Sequence, residues 1–512
     1  FSNVAEVTYG VINTTGCVFK AIGSIPEKFN GSTLTPLGYP IAEVAPSMNN
    51  LADGTIPYWR RLAKGIFHFN FTSSVDHIKV VPMFQPDIVE NYNTLAQINP
   101  GNDGNYSFLD SRFAATANAA NGFNDTVFAI DYQSDGKIIV GGYFTDFNGT
   151  TVNRICRLNP NGRIDDTFNI GTGFNSGVRT IKVQPDDKIL VGGDFTDFNG
   201  TTVHNYICRL NSDGSENGDF TTNIGSGFDS SVNSIKLLSD NTIIVGGNFT
   251  DFDGNTVGCI AKLNSNGTYN SSFTTNAGTG FNGAVFSLDI DPSDNIYVGG
   301  NFSGFNGTAV QYAAKMSGTG VQNSTFSSNI STNLNGGVFA IRYNSNKVLI
   351  GGDFTGAFGT GLNYIYQLNP DGTQDTDFMI QATNYGAGSG YDGTVRTIEA
   401  VADGWLVGGV FTDFNGTTIS CFNYLQNTGK QLNGYRAYGS GFVANKGGIN
   451  ILKLYPGNKV LVGGDFTEYD GITNNYFANL YYTYDVVLIV DGDSGVSDNY
   501  LNKSSIEVTL YN

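Results

Sequence analysis

Little in this chain has the residue types and spacing of a reaction centre. Its three histidines, His68, His77 and His204, stand in strand-like or turn segments, with no H-E-x-x-H, no G-x-S-x-G and no facing cysteine. They read as surface or interface residues. The adjacent carboxylates Asp165-Asp166 and Asp186-Asp187 have the chemistry for proton exchange, but both pairs fall where Asp closes a bend. General acid–base work needs groups that converge on one point, and nothing in the spacing implies convergence. The turns Asp146-Phe147-Asn148-Gly149 and Asp197-Phe198-Asn199-Gly200, with Asp491-Gly492-Asp493 near the end, resemble fragments of calcium loops. They lack the glutamate that closes an EF-hand loop, and hairpin chemistry alone accounts for them. The five cysteines, Cys17, Cys156, Cys208, Cys259 and Cys421, show no C-x-x-C and no short metal-type spacing, which argues against a disulfide scaffold and a zinc ribbon. No catalytic residue, metal or cofactor is expected.

Bulk properties narrow the partners. With 27 basic and 45 acidic residues the formal charge is −18, which repels a phosphate backbone and argues against nucleic acid as a partner. The longest aliphatic run near either end, Val486 to Val490, is far short of the ~20 residues that span a bilayer, so no membrane insertion is expected. Glycine takes 67 of 512 positions against a usual ~7%, while 13% of residues are aromatic and 14% charged. That is a composition of turns and packed rings, the reverse of a disordered chain.

The elements that use this glycine repeat. The phrase KIIVGGYFTDFNGT from Lys137 returns as KILVGGDFTDFNGT from Lys188, and five further copies follow from Ile243, Ile296, Val348, Trp405 and Val460. The first glycine of each pair is Gly141, Gly192, Gly246, Gly299, Gly351, Gly408 and Gly463, at intervals of 51 to 57 residues. Three turn signals recur in the unit: a polar pair such as Asp135-Gly136 before the Gly-Gly strand, Asn148-Gly149 after it, and Asn161-Gly162 after the next strand. Asn-Gly and Asp-Gly accept the positive φ of tight hairpins. Three hairpins join four antiparallel strands, and seven such units predict an all-β, seven-bladed β-propeller of four-stranded blades. Consecutive apolar residues such as Ile138-Ile139-Val140 suit a strand buried on both faces, and the Gly-Gly that follows lets neighbouring blades approach closely. Cys156 and Cys208, at one place in successive repeats, read as buried small apolar residues.

The array ends suggest how it closes. Leu95-Ala96-Gln97-Ile98-Asn99-Pro100 and Leu109-Asp110-Ser111-Arg112-Phe113 read like the back half of a repeat without its front, while the last copy, ending at Phe477-Ala478-Asn479-Leu480, lacks the strand that should follow. Residues 95–113 are expected to complete the final blade and leave no open edge. The domain expectation is therefore 1–92 as an N-terminal attachment domain, 93–481 as the propeller and 482–512 as a strand tail on that domain or a partner. Strands are expected at Gly65 to Phe71, His77 to Pro82, Val486 to Val490 and Ser505 to Tyr511, with a long loop from Pro36 to Pro57.

The core RLNPNGRIDDTF from Arg157 and IKVQPDDKILVGGDF from Ile181 resembles the delta-60 repeat, a β-propeller family of unknown function found in bacterial surface or secreted proteins and phage virion proteins. The resemblance spans about residues 93–481, implies the propeller fold and brings no catalytic residues. Departures occur at Gly356-Ala357-Phe358-Gly359 and Ser317-Gly318-Thr319-Gly320, where the fifth and fourth copies should differ in local shape. The aromatic series Phe147, Phe198, Phe252, Phe305, Phe358, Phe414 and Tyr469 reads as structural. Recognition is sought where copies differ. The largest insertion precedes the sixth Gly-Gly pair, and its Asn384, Tyr385 and Tyr391 are the binding candidates, since Tyr and Asn on a loop suit protein or glycan contact. The expectation is a non-enzymatic structural or adhesion protein, extracellular or on a virion surface. It would meet other virion or cell-surface proteins or a host glycan within a larger symmetric assembly. A secreted bacterial surface binder and a polysaccharide hydrolase are the alternatives.

Overall fold

The apolar residues before each Gly-Gly pair form the best-buried strand of each repeat. In the computed structural model they are the middle strands, Ile138–Gly142, Ile189–Gly193, Ile243–Gly247, Ile296–Asn301, Lys347–Gly352, Gly404–Gly409 and Lys459–Gly464, of seven antiparallel sheets. Each pairs on one side with the inner strand that precedes it: Val127–Tyr132, Val178–Val183, Val232–Leu237, Ala284–Ile290, Val338–Asn344, Val395–Val401 and Ile449–Tyr455. On the other side lies the outer strand that follows: Ile155–Leu158, Ile207–Leu210, Ile260–Leu263, Ala313–Met316, Ile365–Leu368, Phe422–Gln426 and Phe477–Tyr481. The structure describes residues 106–117, 122–200, 205–330, 333–378, 389–431, 436–437, 441–443 and 447–482 of this array, and strand backbones only in the rest of the chain.

The first glycine of each pair is dictated by the next sheet. A Cβ on Gly141 would lie 2.5 Å from Val178 Cγ1, the first residue of the following inner strand. The same contact recurs from Gly192 to Val232 at 2.4 Å, from Gly246 to Val285 at 2.5 Å and from Gly351 to Val395 at 2.3 Å. Gly463 of the seventh sheet meets Val127 of the first at 2.4 Å. Consecutive inner strands pack side by side through the series, and Ile449–Tyr455 packs on Val127–Tyr132.

Beyond the outer strand the expected fourth strand is cut short. After the Asn-Gly or Asp-Gly turn a single bridge is made, Leu158 with Ile164 or Leu210 with Glu216, and the chain then enters a cap. Asn217, Asn270 and Asn323 each accept the backbone N–H three residues on, from Phe220 at 3.2 Å, Phe273 at 3.1 Å and Phe326 at 2.9 Å. A side chain that satisfies those donors locally ends the strand ladder. The phenylalanine packs under the turn of the next repeat: a Cβ on Gly267 would lie 2.7 Å from Phe220 Cδ2, and one on Gly214 equally close to Phe168 Cδ2. In the last sheet the fourth strand is present but comes from the other end of the array. Tyr106–Leu109 pairs antiparallel with Phe477–Tyr481, Asp110 takes the cap position with Phe113 N–H at 3.1 Å and Lys459 Nζ at 2.7 Å, and Phe113 lies against Gly162 of the first repeat.

Asp165 holds the equivalent position in the first repeat, where its carboxylate accepts the Thr167 N–H at 3.1 Å. Burial opposes its ionisation, but hydrogen bonds from Thr167 and Lys137 and the charge of Arg157 outweigh burial and hold the carboxyl at about 2. Because this is below the unfolded value near ~3.9, its contribution is complete above about pH 4 and is lost as pH falls towards about 2. Acid titration of unfolding should therefore show Asp165→Asn losing stability less steeply than wild type between about pH 4 and pH 2.

The two irregular copies behave differently. The fourth keeps the turn geometry, with Gly320 at φ +92° and its N–H on Ser317 O at 2.9 Å. The fifth does not: Ala357–Gly359 forms a 3-10 turn in which Ala357 is buried and Phe358 has φ +54°. Phe358 thus occupies the left-handed position that Asn148 and Asn199 fill elsewhere, and Ala357 takes the place of the buried ring. The aromatic series is one residue out of register there. Cys156, Cys208, Cys259 and Cys421 are all buried free thiols.

Residues 1–103 and 483–512 make a second compact unit, and 104–482 the array, against expected boundaries at 92/93 and 481/482. In that second unit Cys17–Gly23 pairs with Ala5–Glu6, Gly10–Val11 and Ile66–Phe71, and Ile66–Phe71 also pairs with Ser505–Thr509. His77–Pro82 pairs with Val486–Asp491. The segments 37–65 and 91–105, which hold the expected loop and Leu95 to Pro100, lie outside the described residues. Among the described residues no helix is long and apolar enough to cross a membrane.

Candidate functional site

All seven inner strands contribute to one cavity of about 740 Å³ within the array. What reaches it is set by a backbone irregularity. Each inner strand shifts register against its middle strand near its start, as between Val178 and Thr180 or between Val395 and Thr397. A β-bulge re-aims the extra side chain, and the bulged residues Phe128, Arg179, Asn233, Phe286, Phe339, Arg396 and Asn450 all line the cavity. Three aromatics, two guanidiniums and two amides therefore surround one end.

Three residues further along each strand, some ~10 Å at ~3.3 Å per residue, stands a tier of charge: Asp131, Lys182, Lys236, Asp289, Arg342, Glu399 and Lys453. Lys453 and Lys182 approach Asp131 at 3.0 and 3.5 Å, Lys236 lies 2.7 Å from Asp289, and Arg342 lies 3.9 Å from Glu399. Each carboxylate also accepts a backbone N–H from the next inner strand: Val183 to Asp131 and Tyr343 to Asp289, both at 2.8 Å, and Leu454 to Glu399 at 3.1 Å. Burial works against charge here, yet Lys453, Lys182 and the Val183 N–H hold the Asp131 carboxyl below the usual range, and Lys236 and Arg342 do so for Asp289. A general base is tuned towards neutral pH; these two are tuned away from it, and their lone pairs go to stitching one sheet to the next.

At the bulged end the residue after Gly-Gly adds further charge. Asp194 takes the Arg179 guanidinium at 2.7 Å and the Ser231 hydroxyl at 2.5 Å, with the Tyr143 hydroxyl beside it. Burial raises its pKa and these donors lower it further than burial raises it. Asp465 faces Arg396 at 3.6 Å and accepts from the Thr126 hydroxyl. The third such carboxylate, Asp353, is exposed and lines the same cavity.

The residues singled out as binding candidates are elsewhere. Asn384 and Tyr385 lie outside the described residues. Tyr391 is a correction: it is 1% exposed, its ring packs on Phe411 and Phe414 at 4.2 and 4.7 Å, and its hydroxyl accepts from Asn423 at 3.0 Å. It is the core ring that Phe174 and Phe281 supply in other repeats. His68 and His77 fall on strands of the second compact unit, and His204 lies outside the described residues. The Asp-Phe-Asn-Gly turns spend their acids locally, Asp146 accepting Gly149 N–H at 2.8 Å and Asp197 accepting Gly200 N–H at 2.9 Å.

Segments 133–168, 184–215, 238–273 and 344–378 match a family described as a domain of unknown function (DUF5122) beta-propeller. No curated protein sequence matches the chain. Among solved structures, the computationally designed Ika8 protein is 13% identical with a TM-score of 0.40, over 71% of this chain and 96% of that one. The WD40 β-propeller domain of Doa1 is 11% identical at 0.41, over 70% and 93%. The extracellular domain of a one-component system from B. thetaiotaomicron is 12% identical at 0.39, over 94% of this chain and 58% of that one. The four matched segments, with the repeated antiparallel sheets, support a β-propeller repeat in an all-β chain built mostly of small antiparallel sheets with few helices.

Proposed function

We propose that this chain is a non-enzymatic structural or adhesion protein, a virion or tail component outside the cytoplasm, in which a seven-bladed propeller of the delta-60 type is the interaction scaffold. The fourth strand of the first five blades is the shortened capped segment, and that of the seventh is Tyr106–Leu109. The observation that carries this reading is the junction between the last and first repeats. Gly463 against Val127, Phe113 against Gly162, and Tyr455 Oη donating to Gly136 O at 2.7 Å repeat the contacts of the internal junctions, which supports a series that closes on itself. The charged tier of the cavity, Asp131 to Lys453, serves that same interlocking, which suits a rigid support. Electron microscopy and protein stoichiometry of particles from the native source test it. The ring should recur at fixed copy number in a symmetric assembly, and recovery solely as free monomers would overturn it. The mixed Phe, Arg and Asp lining of the bulged end favours one further reading, a secreted surface protein that binds glycan or protein. That reading expects the chain in culture supernatant and absent from particles.

A further inference from the structure

The three carboxylates that follow Gly-Gly are not equivalent. Asp194 and Asp465 each face a guanidinium and accept a hydroxyl, whereas Asp353 has no ion pair and no side-chain hydrogen bond among the described residues. The cause is local sequence. Its own repeat places Phe339 at the bulge where the second repeat has Arg179, and Arg396 of the next repeat is directed to Gly447 O at 2.6 Å and Asn450 Oδ1 at 2.7 Å. Phe339 and Phe286, both half-buried, stand 5.2 Å apart with their planes 44° off parallel, lining the same cavity as Asp353. Two ring faces beside an unneutralised carboxylate attract a cation and disfavour an anion. We propose that this end of the channel binds an alkylammonium group, held by the Asp353 carboxylate against the Phe286–Phe339 pair.

The rest of the channel makes the site one-sided. Around the bulged end Asp194, Asp353 and Asp465 outnumber Arg179 and Arg396 by one, whereas in the deeper tier the four cations outnumber the three carboxylates by one. An ammonium drawn to the bulged end is therefore opposed further in and stops there. The overall charge of −18 raises the local concentration of cations. The chemistry is shared by a free diamine and by a lysine side chain, and the proposal goes beyond the scaffold role without depending on it.

The test is calorimetric titration of the full chain at low ionic strength with 1,5-diaminopentane and, separately, with Nα-acetyl-lysine amide. Saturable binding at one site is expected, weakened roughly fivefold by Asp353→Asn and by Phe339→Leu. Phe339→Tyr, which keeps the ring face, and Asp135→Asn, at an exposed turn beyond the other end of the strand, should bind as wild type. Circular dichroism and the melting midpoint of each variant separate a fold defect from a lost contact. Tighter binding of the diamine assigns a free amine, and tighter binding of the lysine derivative assigns a protein side chain. No saturable binding of either probe, or binding unchanged by both Asp353→Asn and Phe339→Leu, overturns the proposal.

Discussion

Valine at position 246 or at position 463 is expected to destabilise the array by about 3 kcal/mol or more, because overpacking a close-packed junction forces its neighbours to move. Both glycines lie in strands without positive φ, so the cost is steric. A Cβ alone would stand 2.5 Å from Val285 Cγ1 at Gly246 and 2.4 Å from Val127 Cγ1 at Gly463, well inside the ~3.5–4.0 Å of a carbon–carbon contact. Gly416 provides the contrast. Nothing lies within 4 Å of its Cβ position, but its φ is +80°, so Gly416→Ala should cost only about 1–2 kcal/mol from the backbone. Melting midpoints of the three variants give the comparison. Equal losses at 246 and 463 mean that the seventh and first repeats pack as the third and fourth do. A silent Gly463→Val would mean that the series does not close on itself.

That junction was the part of the fold most legible in sequence, since a glycine pair recurring at intervals of 51 to 57 residues after an apolar run has no other evident use. The turns were legible for the same reason: Asn148, Asn199, Asp253 and Asn306 all adopt positive φ, which their residue types announce. The fourth strand was not, because the Asp or Asn that begins the cap looks in sequence like any other polar strand residue. Tyr391 was misread although its neighbours carried the signal. Gly390-Tyr391-Asp392 matches Gly173-Phe174-Asn175 and Gly280-Phe281-Asn282, so the end of the insertion was already back in the repeat. The cavity was hidden by the bulge. Arg179 and Lys182 are an odd number of residues apart, and in a regular strand they would point to opposite faces. The register shift after Val178 brings both into the cavity, and no residue type marks it.

Arg157→Met is expected to cost about 3–5 kcal/mol, the loss seen when one partner of a buried ion pair is removed, while Arg157→Gln should cost about 1 kcal/mol. Arg157 is buried, with Nε on Asp165 Oδ2 at 2.8 Å and Nη1 on Gln133 Oε1 at 2.9 Å and on Ser212 O, in the turn of the next repeat, at 2.5 Å. Arg209 to Ser265 O at 2.6 Å, Lys262 to Gly318 O at 3.0 Å and Lys315 to Pro370 O at 3.1 Å make the same cross-link. In the fifth repeat a neutral side chain does it: Gln367 Nε2 reaches Asn427 O and Asp375, both at 2.7 Å. Charge balance there comes from Lys347 at 2.9 Å from Asp375, and Lys137 stands at 3.1 Å from Asp165 in the first repeat. A donor to the next turn is therefore what the position requires, and glutamine supplies one where methionine cannot. Denaturant unfolding of both variants and of Arg157→Met with Asp165→Asn decides the point. The double variant should recover part of the methionine loss, because the carboxylate left short of donors is gone. If glutamine costs as much as methionine, the charge itself holds the junction. The position changes in the last two repeats, where Tyr424 donates its hydroxyl to Asp403 of its own repeat and the buried Asn479 amide has no partner among the described residues. At the closing junction Lys453 on Asp131 and Tyr455 on Gly136 O span the gap to the first repeat, so there the inner strands carry the link that Asn479 does not.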